Sequence, residues 1–325
     1  MRQLLMHATT FSRISSALEP YRDQISPLVL DDEGHLKHPW GESEAEGAIA
    51  YGTTDAYFSP AVQTFFQTMM TLPRLDWFQS SAAGTEHPML QMVGKKAELY
   101  SGSHEQSEAI AEWVLWAGFD FFQRGPERRA AQSRKDWARL PFKEISSTHW
   151  LILGFGGIGQ ATGKRLRALG ATVTGVRRSG GESDAADLII TPDQIQTALP
   201  RADAVLLCLP HTPETESIAD AAFFESMKPE SLFVNVGRGS LVDEDALFAA
   251  LERRQPAHAA LDVVREEPQP ENGPFWTHPQ ITMTAHIAAL TEQSKIRTDA
   301  VFIENLKRFL NSASLKNGVP KSEFA

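Results

Sequence analysis

Six residues, Gly154-Phe155-Gly156-Gly157-Ile158-Gly159, constrain this chain more than any others. They stand between an apolar run, His149-Trp150-Leu151-Ile152-Leu153, and an amphipathic segment from Gly159 to Leu169. The pattern is G-x-G-x-x-G in a strand, turn and helix setting. There the first glycine makes the tight turn, the second lets backbone approach a pyrophosphate, and the third lets the helix pack closely. The helix N-terminus then offers unpaired N–H groups to phosphate. Gly154, Gly156, Gly157, Ile158 and Gly159 are therefore candidate dinucleotide contacts.

Beyond that turn, strand signals recur at Ala171 to Val176, Leu188-Ile189-Ile190, Ala204 to Leu209, Leu232 to Val236, His258 to Val263 and Ile281 to Thr284. Helices such as Pro192 to Leu199 and Glu244 to Arg253 fill several gaps. The alternation predicts a doubly wound parallel sheet. The first hundred residues alternate too, with apolar runs at Leu4-Leu5-Met6, Leu28-Val29-Leu30, Ala48 to Tyr51, Trp77-Phe78 and Leu99-Tyr100. A long helix from Glu105 to Gln123 carries Ile110, Val114, Ala117 and Phe121 at helical spacing, and Gly125-Pro126 stops it before a polar, arginine-rich stretch to Arg139.

The predicted class is α/β with two Rossmann-like domains. A doubly wound NAD(P)-binding domain covers residues 100–290, and a smaller flavodoxin-like substrate domain covers 1–99, completed by 291–325. The active site is expected in the cleft, closed by a hinge. The tail from Leu310 to Ala325 is polar and reads as partly mobile.

Composition narrows the partners. A net charge of −10 over 325 residues argues against nucleic acid, whose phosphates reward a clustered positive surface. The lone cysteine, Cys208, excludes an intrachain disulfide and reads as a buried strand residue rather than a nucleophile. No run approaches the roughly 20 apolar residues of a membrane helix, and the N-terminus lacks a secretion signal's apolar core, so a cytoplasmic protein is expected. His35 and His38 have ligand-like spacing but sit among loop residues, so no metal is expected.

The strand after the glycine turn ends at Val176. The next position is where an acidic residue would hydrogen-bond the ribose 2′-hydroxyl of NAD, and here it is Arg177, followed by Arg178 and Ser179. An acid would repel a 2′-phosphate, whereas a guanidinium pairs with it through charge-assisted bonds. The expectation is NADPH as preferred cofactor, with NADH possible; the alternative is two solvated loop arginines.

Three further segments place polar residues at strand ends: "VNVGRGSLVDEDAL" with Arg238, "ALDVVREEPQP" with Asp262 and Glu267, and "ITMTAHIAA" with His286. Carboxyl ends of parallel strands face the ligand crevice, so the three could converge there. With the glycine turn and "LCLPHTPET", these segments resemble, in order and spacing, the D-isomer-specific 2-hydroxyacid dehydrogenase family, and within it glyoxylate and hydroxypyruvate reductases. The resemblance runs from about Trp77 onward; Ala285 stands where many members carry proline.

The resemblance implies reduction of a small 2-keto acid by an NADPH-preferring oxidoreductase that forms a homodimer. Arg238 would bind the substrate carboxylate and keto oxygen, His286 would be the acid/base, and Glu267 would orient it. Ala83 and Gly84 would offer backbone N–H groups to the carboxylate, and Leu209, Pro210, Val236, Asp262 and Ala288 would line the cofactor, with Asp262 near the nicotinamide amide. Trp276 is a candidate for shaping the substrate pocket, with burial in a hydrophobic cluster the equal alternative. Trp113 and Trp116, beyond the main stripe of the long helix, also hint at a dimer. Two other readings stay open: a nucleotide-sensing corepressor-like binding protein of the same fold, and a formate- or phosphite-type dehydrogenase.

Overall fold

The computed structural model describes residues 1–324, which divide into two compact units, residues 1–105 with 290–324 and residues 106–289. In chain order the first unit holds β1 (Arg2–His7), β2 (Ile25–Leu30), β3 (Leu36–Lys37), β4 (Gly47–Gly52), β5 (Leu75–Ser80) and β6 (Leu99–Ser101). The second holds β7 (His149–Leu153), β8 (Thr172–Val176), β9 (Leu188–Ile190), β10 (Ala204–Leu207), β11 (Leu232–Asn235), β12 (His258–Leu261) and β13 (Ile281–Met283), before β14 (Gly318–Val319) returns to the first. No helix among the described residues is long and apolar enough to cross a membrane.

The second unit's sheet runs β13-β12-β11-β10-β7-β8-β9, parallel throughout. Chain order reverses between β7 and β10, which sets a switch point at the carboxyl end of β7, where the glycine turn lies. Both faces are covered, so its central strands are apolar apart from a polar residue at one end of β7 (His149), β11 (Asn235) and β12 (His258). Leu151, Leu153, Val205, Leu207, Phe233, Ala259 and Leu261 pack one face against Phe223, Phe224, Leu247 and Leu251. Trp150, Ile152, Ala204, Leu206, Leu232, Val234 and Ala260 pack the other against Val114, Ala117, Phe122 and Leu166.

The first unit's sheet runs β14-β6-β5-β4-β1-β2-β3; its five central strands are parallel, in a flavodoxin-like order, and only the short edge strands β3 and β14 are antiparallel. The helix Glu292–Leu310 closes one face. Its Phe302 stacks on Tyr51 with ring centroids 4.0 Å apart and on Trp77 at 5.4 Å.

Several local expectations are corrected. The arginine-rich stretch after Phe122 folds into a second helix, Gly125–Ser133, because Pro126 sits in its first turn, where a missing N–H costs nothing. Pro192 to Leu199 is instead a 3₁₀ turn, one α-helical turn (Ile195–Ala198) and another 3₁₀ turn; Pro200 cannot continue the ladder. The polar tail is pinned: β14 pairs with β6, and Phe324, 2% exposed, packs on Tyr100. Ala325 lies outside the described residues.

Candidate active site

Gly154 leaves β7 with φ of +98°, and a Cβ there would fall 2.6 Å from the Cys208 carbonyl oxygen, so only glycine fits. At Gly159 a Cβ would lie 2.5 Å from the Gly154 oxygen, which is how the helix Gly157–Ala168 packs so near the strand. Gly156 has nothing within 4 Å of its Cβ position, and the helix starts with no side-chain cap. The first-turn N–H groups and the open face at Gly156 thus fit a pyrophosphate. Ile158 packs partly against the core. Val236 is buried beside Gly237, whose Cβ position lies 2.8 Å from the Leu209 oxygen, so the Val236 and Leu209-Pro210 segments touch.

Cys208 is the first residue past β10 rather than inside it, because the chain has already turned toward Gly154. Its thiol donates to the Gly154 oxygen at 3.0 Å, and burial pushes it up to about 12, leaving little thiolate for nucleophilic work.

At the end of β8, Arg177 Nε donates to the Gly180 oxygen at 2.9 Å and Nη2 to the Glu182 oxygen at 3.3 Å, so this side chain braces its own loop. Arg178 and Ser179 are exposed on that loop. The Glu214 carboxyl is held below its usual range, first by a hydrogen bond from Thr212 and also by the charge of Arg178, which places Arg178 near the segment after β10.

Arg238, Glu267 and His286 follow β11, β12 and β13, three neighbouring strands. Asn235 fixes the first turn: its Oδ1 accepts from Gly237 N at 3.0 Å and its Nδ2 donates to the Arg238 oxygen at 2.9 Å. Glu267 Oε1 accepts from Val264 N at 3.1 Å, and its Oε2 meets His286 Nδ1 at 2.8 Å. That bond raises the His286 pKa against the opposing effect of burial. Burial would push the Glu267 carboxyl up, but the hydrogen bond and charge of His286 carry it down. The Arg238 charge lowers both groups, so all three side chains share one field.

His286 has φ of +54°, a left-handed conformation unusual for a side-chain-bearing residue. Asp262, 3% exposed, sustains it: the Asp262 carbonyl accepts from His286 N at 2.8 Å, Oδ1 accepts from Ile287 N at 2.9 Å, and Oδ2 accepts from Ala288 N at 2.9 Å. Thr284 Oγ1 also donates to Oδ1, at 2.5 Å.

Residues 115–288 match the family model described as D-isomer specific 2-hydroxyacid dehydrogenase, NAD binding domain. The chain belongs to that family. A glyoxylate/hydroxypyruvate reductase A from Serratia proteamaculans is 33% identical over 185 residues, 57% of this chain and 59% of that protein. The alignment thus spans under two thirds of that relative. A family member of solved structure from Aeromonas salmonicida is similar at a TM-score of 0.79 with 25% identity, covering 98% of this chain and 99% of that one. An NADPH-dependent glyoxylate/hydroxypyruvate reductase from Sinorhizobium meliloti, solved with NADP and sulfate, shares the fold at a TM-score of 0.77 and 21% identity, with 100% of both chains covered.

For this dehydrogenase-family chain the structure also separates candidates. Trp276 is 54% exposed and donates from Nε1 to the Pro270 oxygen at 2.7 Å; the hydrophobic-cluster position belongs to its neighbour Phe275, at 4%. Ala83 and Gly84 lie in the first unit, in the loop after β5, and neither N–H donates to another described residue. The bracing of the histidine turn by Asp262 was invisible in sequence, since a strand-end aspartate looks the same whether it faces a ligand or its own backbone.

Proposed function

We propose that this chain is an NADPH-preferring oxidoreductase that reduces a small 2-keto acid, of the glyoxylate or hydroxypyruvate kind, to the D-2-hydroxy acid. The observation that carries the reading is the Glu267–His286 pair beside Arg238 on the same sheet edge as the glycine cradle. A nicotinamide dinucleotide held at the glycine cradle would supply the hydride for C2. Arg238 holds the substrate carboxylate and stabilises charge growing on the carbonyl oxygen. Because Nδ1 of His286 is engaged by Glu267, Nε2 is the atom that delivers the proton to that oxygen. Loss of NADPH absorbance, with NADH in parallel, against glyoxylate, hydroxypyruvate, pyruvate and phenylpyruvate tests the reading; no turnover with any acid despite NADPH binding would refute it.

The cofactor preference is assigned to Arg177 and Arg178, the first shaping the loop and the second presenting its guanidinium to a 2′-phosphate. Arg177→Asp is expected to lower the NADPH-to-NADH ratio of kcat/KM by about tenfold or more, because it releases the loop that presents Arg178 and sets a negative charge beside the 2′-phosphate. An unchanged ratio would remove the assignment.

The reading includes a homodimer in the cytoplasm. Trp116 and Phe119 lie exposed on the helix Ser107–Phe122, at 46% and 36%, while Trp113 packs partly on the core. Trp116→Asp should shift sedimentation toward the monomer; a wild-type boundary would discount this face.

A further inference from the structure

We propose that Arg265 is a positioning residue that locks the loop bearing Arg238 to the loop bearing Glu267, an inference that rests on the function proposed above. Arg265 precedes Glu267 by two residues, yet its guanidinium bonds to other loops. Nη1 donates to Glu216 Oε1 at 2.7 Å, and Nη2 donates to Ser217 Oγ at 2.9 Å, the Ser240 oxygen at 3.1 Å and the Val242 oxygen at 2.9 Å. Its backbone N–H donates to Glu244 Oε1 at 2.7 Å. One side chain therefore ties the segment just after Arg238 to the loops after β10 and β12.

A second observation shows why register matters here. A Cβ at Gly239, the residue next to Arg238, would fall 2.0 Å from the Val264 carbonyl and 2.4 Å from Arg265 N. The two loops meet backbone to backbone here, with no room for a side chain between them. Ser217 joins them from the third loop, its N–H donating to the Ser240 oxygen at 2.8 Å from a left-handed φ of +51°. The network continues to His211, whose Nδ1 lies 2.9 Å from Ser240 Oγ and 3.2 Å from Glu216 Oε2, and so reaches the Leu209-Pro210 segment.

A planar fork with several donors is suited to gathering two carbonyls, a hydroxyl and a carboxylate at once; an ammonium can keep the Glu216 pair but not the rest. The function of this geometry is to fix the distance from the carboxylate clamp to the proton donor. A loop shift of about 1 Å at such a site costs up to a hundredfold in rate.

The test compares wild type, Arg265→Ala and Arg265→Lys by amide hydrogen exchange over residues 215–219 and 239–243 and by steady-state kinetics. In Arg265→Ala, exchange in both segments should rise about tenfold and kcat for the keto acid should fall about tenfold or more, with the KM for NADPH changing less than about twofold. Arg265→Lys should fall between. Unchanged exchange, or faster exchange with a wild-type keto-acid kcat, overturns the proposal. If Arg265→Ala does not fold, the same criteria apply to Arg265→Lys. If wild type itself turns over no keto acid, the function above fails separately; exchange then decides the loop lock alone, faster exchange sustaining it and unchanged exchange overturning it.

Discussion

His286→Ala is expected to lower keto-acid reduction by about a thousandfold or more, the upper range for loss of a positioned acid, while NADPH binding followed by fluorescence stays close to wild type. The separation is expected because the imidazole is held by Glu267 and the histidine turn by Asp262, not by the glycine cradle after β7. Retained turnover would remove His286 as proton source. The pH profile carries the same assignment further. The Glu267 bond raises the His286 pKa above its ordinary value of about 6.5, so the protonated donor is available below that raised value and is lost as pH climbs through it. Reduction should therefore hold a plateau at low and neutral pH and fall on the alkaline side. Glu267→Gln removes the anion, and the falling limb should move to lower pH.

The site and fold were legible in sequence to different depths. The glycine turn was readable because Gly154 and Gly159 are demanded by clashes with carbonyl oxygens, so chemistry and sterics select the same residues. The doubly wound sheet was readable because strands buried on both faces, such as β10 and all of β7 after His149, are continuous apolar runs. The helix Gly125–Ser133 was not, since it is short and strongly polar and buries only Ala131, too little apolar surface to mark it in sequence. The tail was misread because a two-residue strand, β14, and one aromatic residue, Phe324, fix an otherwise polar segment, and neither is long enough to leave a pattern. The strand ends bearing Arg238, Glu267 and His286 could be placed by topology. The bracing by Asp262 and by Arg265 could not, because those partners are distant in sequence and depend on where loops cross.

Arg238→Ala should reduce kcat/KM for the keto acid by about a thousandfold or more, since it removes both a charge-assisted clamp on the carboxylate and the donor facing the developing oxyanion. Arg238→Lys should recover only part of the loss, because a point charge replaces a fork. Wild-type turnover in Arg238→Ala would refute the role. The residual activity offers a second, independent reading. In the native site the Arg238 charge holds the His286 pKa down, opposing Glu267. Removing it should let that pKa rise, so the alkaline limb in Arg238→Ala should move to higher pH, opposite to the shift in Glu267→Gln. Two substitutions on neighbouring loops would then displace one limb in opposite directions. A general loss of structure lowers amplitude without moving the limb, so the paired shifts separate an electrostatic coupling of the three side chains from damage to the fold.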